Sequence, residues 1–72
     1  MNKRAGQHDV ERILRDVLST YGVDTSELRV EQTQSGWRVV VRNPSRTLST
    51  DLANGRPAVV RAALTHWVLN QH

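Results

Sequence analysis

The spacing of apolar residues changes period twice along this chain, and that double change constrains the fold more than any motif does. Val10, Ile13, Leu14, Val17, Leu18 and Tyr21 fall at i, i+3, i+4, i+7, i+8 and i+11, the single stripe of an amphipathic helix. From Leu28 to Leu52 apolar and polar residues alternate instead, as in strands that bury one face. From Pro57 a helical pattern returns through Val59, Val60, Ala62, Ala63, Leu64, Trp67, Val68 and Leu69. The predicted order is α-β-β-β-α. It corresponds to an α+β fold with a three-stranded antiparallel sheet, order 1-2-3, and both helices packed on one face.

Local signals set the boundaries. Asp9 is the expected N-cap of the first helix, and Gly22 stands where a left-handed residue ends it, with Val23 covering the last turn. The first helix is read as His8 to Tyr21, after a flexible basic tail over residues 1–7. Residues 8–72 then form a single domain. Strands are expected over Leu28–Gln34, Trp37–Asn43 and Arg46–Leu52. Asn43-Pro44-Ser45-Arg46 suits a type I turn with Pro at its second position. Pro57 is a good first residue for a second helix reaching Asn70. The breadth of that helix's apolar stripe predicts deep burial, with Trp37 and Trp67 both in the core.

Register follows from the need to put apolar residues on a common face. A two-residue loop at Ser35-Gly36 pairs Gln32 with Val39 and Val30 with Val41. A two-residue turn at Pro44-Ser45 pairs Val41 with Leu48 and Trp37 with Leu52. On the outward face this predicts Arg38 beside Asp51, and Arg29 directly across from Arg42. Like charges facing each other across a ladder are destabilising, so Arg29 and Arg42 become a candidate anion site. On the first helix, Glu11–Arg15 and Arg12–Asp16 are expected i, i+4 ion pairs.

Composition narrows the function classes. Seventy-two residues make one domain, and a chain this short buries only about 60% of its unfolded surface. There is no cysteine, hence no disulfide or thiolate metal site. His8, His66 and His72 lack metal-ligand spacing, and no nucleophile elbow or glycine-rich phosphate loop is present. An enzyme, a metal centre and a cofactor are therefore not expected. No apolar run approaches the ~18 residues of a membrane span, and MNKRAGQ lacks the apolar stretch of a signal peptide. A cytoplasmic setting with no membrane partner is expected.

Ten Lys and Arg against seven Asp and Glu leave a net charge of +3, and nine of the ten cations are Arg. Arginine's planar fork suits phosphate and carboxylate. The stretch NGRPAVVRAAL, residues 54–64, leads a glycine-containing loop into a helix N-terminus, where free N–H groups and the dipole favour an anion. Arg56 stands at that end and Arg61 about one turn on. The order of elements, with this helix start and the Ala62-Ala63 pair, resembles the double-stranded RNA-binding domain. That resemblance implies both helices on one sheet face and phosphate contacts from the start of the second helix. Where that family carries a lysine cluster, this chain has Pro57, Ala58, Val59 and Val60.

Two readings of function follow. In the first the chain is a non-catalytic nucleic-acid-binding module. Its phosphate contacts come from Lys3 and Arg4 on the tail, Arg56 and Arg61 at the second helix, and Arg29, Arg38 and Arg42 on the sheet. In the second it is a protein-binding module or small regulator of a larger machine. Its contacts are then exposed Val40 and the third strand with Arg46, Leu48 and Thr50, an edge able to accept a partner strand or pair with its own copy.

Overall fold

The computed structural model describes residues 4–71. Helix α1 spans Gln7–Thr20 and buries Val10, Ile13, Leu14, Val17 and Leu18 of the expected stripe, while Tyr21, expected as its last member, is the C-cap and is exposed. The helix begins one residue earlier than expected. Gly6 holds the N-cap position, and Asp9 sits three residues in, its carboxylate accepting the Gly6 N–H at 3.0 Å. Two anchors explain the earlier start. Ala5 is buried and its N–H donates to the Gly55 carbonyl at 2.8 Å. The Gln7 amide donates to the Val30 carbonyl at 3.1 Å. Residues 5–7, read from the sequence as tail, thus carry contacts to the fold.

The far end of α1 closes as predicted. Gly22 has φ +66°, a conformation that costs a side-chain-bearing residue a steric clash. Its N–H bonds the Ser19 carbonyl at 3.2 Å, and the Val23 N–H bonds Leu18 at 2.9 Å. This crossed pair satisfies two carbonyls that the helix leaves open.

Strands β1 (Glu27–Gln32), β2 (Gly36–Arg42) and β3 (Thr47–Ala53) form an antiparallel sheet in the order β1-β2-β3. The β2–β3 register is the expected one, with Val41 opposite Leu48 and Trp37 opposite Leu52. At that turn the Asn43 side-chain oxygen accepts the N–H groups of Ser45 and Arg46, each at 2.9 Å. The β1–β2 register differs from expectation by two residues. Gln32 faces Trp37, Val30 faces Val39 and Leu28 faces Val41.

The physical reason lies at the turn. Gln34 and Ser35 form the bend, and Gly36 belongs to the strand. The Thr33 N–H bonds the Gly36 carbonyl at 2.8 Å, and the Thr33 hydroxyl accepts the Gly36 N–H at 3.0 Å. A Cβ at Gly36 would stand 1.9 Å from the Leu52 carbonyl oxygen, so only glycine lets β3 approach there. A slip of two preserves side-chain parity, and the inward face is unchanged. Val30, Trp37, Val39, Val41 and Leu52 are all buried on it.

Helix α2 spans Pro57–Leu69. Both helices lie over this inward face, α1 against β1, α2 against β3, and each against the other. Trp37 is in the core, its Nε1 buried without an acceptor among the described residues. Trp67 is only half-buried. The expected deep burial of α2 does not occur: Val60, Leu64 and Val68 are buried, whereas Val59 is 58% exposed and Leu69 49%. The sheet offers one covered face, α1 shares it, and among the described residues nothing lies across the outer side of α2.

Candidate interaction surface

The outward sheet face is built from three cross-strand rows: Glu27–Arg42–Thr47, Arg29–Val40–Ser49 and Glu31–Arg38–Asp51. The two-residue slip decides their chemistry. Arg29 and Arg42, expected as facing cations, are not opposite each other. Arg42 instead faces Glu27, with Nη1 4.0 Å from a carboxylate oxygen. The expected Arg38–Asp51 pair is present at 3.1 Å, and the register sets Glu31 on the other side of Arg38. Arg29 faces the half-buried Val40 and forms no ion pair among the described residues, yet Glu27 and Glu31 flank it on its own strand. Three arginines and three acids share this face, so its net charge cancels. Opposite charges across the ladder also stabilise it.

Arg61 has a different partner from the one its sequence position suggests. Its guanidinium bonds Asp16 of α1, joining the outer flanks of the two helices. The expected Arg12–Asp16 pair is replaced by Arg12–Asp9 at 3.0 Å, and Glu11 lies 3.9 Å from His8 Nδ1 instead of pairing with Arg15. The Gly6 N–H, and after it Arg12, holds the Asp9 carboxyl below its ordinary range.

The N-terminal corner of α2 gathers two of the predicted cations. Arg56 is the N-cap residue, exposed, its carbonyl accepting the Val59 and Val60 N–H groups at 3.0 Å each. The bond from Ala5 to Gly55 sets Arg4 beside this corner. Lys3 lies outside the described residues. Arg46 is at the opposite end, where its guanidinium donates to the Gln71 carbonyl at 3.1 Å and so ties the residues after α2 to the β2–β3 turn. Leu48 and Thr50 are half-buried on the helix-covered face of β3. What β3 presents outward is its backbone edge, with β2 on its one paired side.

One surface was not identified from the sequence. On α2, Val60, Leu64, Trp67 and Val68 face inward, while Val59, Ala62, Ala63, His66 and Leu69 follow i, i+3, i+4, i+7 and i+10 on the opposite side and are all exposed. This is a second apolar stripe, with no Asp, Glu, Lys or Arg in it. Its signal was present in the sequence as the helix's unusual breadth of apolar residues. An all-round apolar helix is ordinarily a buried one, which is why the pattern pointed inward only. No helix among the described residues is long and apolar enough to cross a membrane. Comparison with protein-family models, curated proteins and solved structures finds no match for this chain.

Proposed function

We propose that the protein is a non-catalytic interaction module that meets a protein partner through the outer face of α2. The observation that carries this reading is the uncharged stripe Val59-Ala62-Ala63-His66-Leu69 on a chain otherwise rich in surface charge. Scattered exposed apolar residues are ordinary, but a contiguous stripe along a helix of 13 residues, about 20 Å long, marks a contact surface. The outward sheet face is a weaker candidate, since its three arginines and three acids cancel over the face as a whole. The small size of the domain adds weight, because such chains gain stability from a partner. A cytoplasmic setting belongs to this reading, and a chain without cysteine is compatible with it.

A photo-crosslinking residue placed at Ala62, and separately at Val40, tests this proposal in cells. Adducts from Ala62 and none from Val40 are expected. Adducts from Val40 alone, or from neither, would sink it.

The corner formed by Arg4 and Arg56 favours a second reading, contact with nucleic-acid phosphate. The Ala5–Gly55 bond brings these two arginines together at a helix N-terminus, the place the resemblance to double-stranded RNA-binding domains implies. Titration with pooled duplex RNA and DNA at two salt concentrations checks it. Binding that weakens steeply with salt, with a slope reduced by about one for each of R4A and R56A, is expected. No binding at low salt removes this reading.

A further inference from the structure

We infer that the occupant of α2's outer face is a second copy of this chain, its α2 lying antiparallel so that Val59 of each copy meets Leu69 of the other. The inference rests on the reading of that face as a protein contact and names the partner.

The first argument is the order of side chains along the stripe. Setting Val59 against Leu69 of the second copy also sets Ala62 against His66, and the two-fold axis passes level with Leu64. Large residues then meet at both ends, and in the middle a methyl group faces an imidazole. The stripe is self-complementary, as a two-fold contact requires. Ala62 and Ala63 at its centre allow the helix axes to approach to the near end of the ~8–10 Å packing range.

Charge supplies the second argument. The chain carries a net +3, and a two-fold contact brings any charge near the axis close to its own duplicate. The outer face of α2 avoids this, because it has no formal charge and its neighbour Arg61 is turned to Asp16. Arg56 is a cation at the N-cap of its own helix, the end where a cation is unfavourable. The antiparallel pairing carries it to the C-terminal end of the other α2, which the helix dipole makes favourable to a cation and where Arg46 already donates to the Gln71 carbonyl. A helix meant for a lipid surface would instead carry free cations along its polar flank.

Area sets the strength. A stripe about 20 Å long on one helix is well below the ~800 Å² per partner of a standard interface. The pair is therefore a weak dimer, assembling in the micromolar range or above.

Sedimentation equilibrium of the full chain from about 10 µM to about 1 mM, the range over which weak pairs form, tests the inference. The wild-type mass should rise from 8.2 kDa towards twice that value. V59D and L69K should each weaken association at least about tenfold, since each sets an unpaired charge against an apolar side chain at both ends of the contact. Both substitutions suit the helix dipole at their own ends, so circular dichroism should report an intact fold. The double variant V59D/L69K sets the introduced acid of one copy against the introduced lysine of the other, and association should return. A wild-type mass that stays monomeric to the highest concentration overturns the inference, as does a double variant no stronger than either single one. Crosslinks from Ala62 to a different protein, with monomeric wild type, would leave the functional reading standing and remove the second copy as partner. Absence of any crosslink from Ala62 would remove both.

Discussion

Helices α1 and α2 are nearly equal in length, 14 and 13 residues, and each presses one apolar stripe onto the same sheet face. Their outer faces have opposite chemistry. That of α1 carries Glu11, Arg12, Arg15, Asp16 and Ser19, a solvated surface laced with charge. That of α2 carries Val59, Ala62, Ala63, His66 and Leu69, and water meets it directly. Burial against the sheet accounts for all of α1's apolar residues within the helix and for about half of α2's. The difference teaches that an apolar pattern states how much a helix has to cover, and the number of neighbouring layers states how much gets covered.

The inner faces should behave alike, and this is the largest effect. Leu14 and Leu64 are both fully buried. Leu14→Ala and Leu64→Ala should each cost about 2–5 kcal/mol, read from urea unfolding. A far smaller loss at Leu64 would mean that α2 docks loosely, which would break the comparison at its base.

The two C-terminal ends come next. Gly22→Ala forces a side chain into the left-handed region at the end of α1 and should cost about 1–2 kcal/mol. At the end of α2, Asn70 has φ −89°, so Asn70→Ala should lose only its side-chain bond to the His66 carbonyl, about 1 kcal/mol or less. Equal losses at the two ends would show that the positive φ at Gly22 is not what closes α1.

Smaller still is the link between the helices. A double-mutant cycle on Asp16→Asn and Arg61→Gln should yield a coupling of about 0.2–1 kcal/mol, since both side chains are half exposed and screened by solvent. A coupling of zero at low salt would free Arg61 for an outside anion and sharpen the case for a phosphate contact.

Asp9 supplies the smallest effect, readable through pH. Its folded pKa lies below the ordinary 3.8, held there by the Gly6 N–H and then by Arg12. The stabilisation it provides is therefore complete above that ordinary value and lost as pH falls through the depressed one. Denaturation midpoints at neutral pH and near pH 3 should differ slightly more for the wild type than for Asp9→Asn. An identical pH response in the two proteins would contradict the cap.

Much of this molecule was legible before its coordinates. The stripe of α1, the left-handed Gly22 and the β2–β3 register each follow from local rules, and Arg38–Asp51 follows from that register. The β1–β2 register was legible only in parity. Apolar alternation separates one face from the other and cannot distinguish a slip of two, because every inward residue stays inward. The choice was made by the Thr33 hydroxyl on Gly36, by the contact of Gly36 with β3, and by the opposite charges the slip brings together. The anion site expected from Arg29 and Arg42 disappeared with that slip. Likewise Asp16 had a partner within reach on its own helix, and its pairing with Arg61 arose only once two helices shared a sheet.

By itself, the sequence determined what repeats at short range: the period of each segment, the residues that punctuate it, and hence the order helix, three antiparallel strands, helix. These depend on backbone geometry and on neighbours a few residues away, both of which are written in the chain. The tertiary structure alone decided which arginines are neutralised, that the backbone beside Arg4 bonds the backbone beside Arg56, and which apolar stripe of α2 faces water. Each of those depends on distances between residues far apart in sequence, and on the single covered face that a three-stranded sheet has to share between two helices.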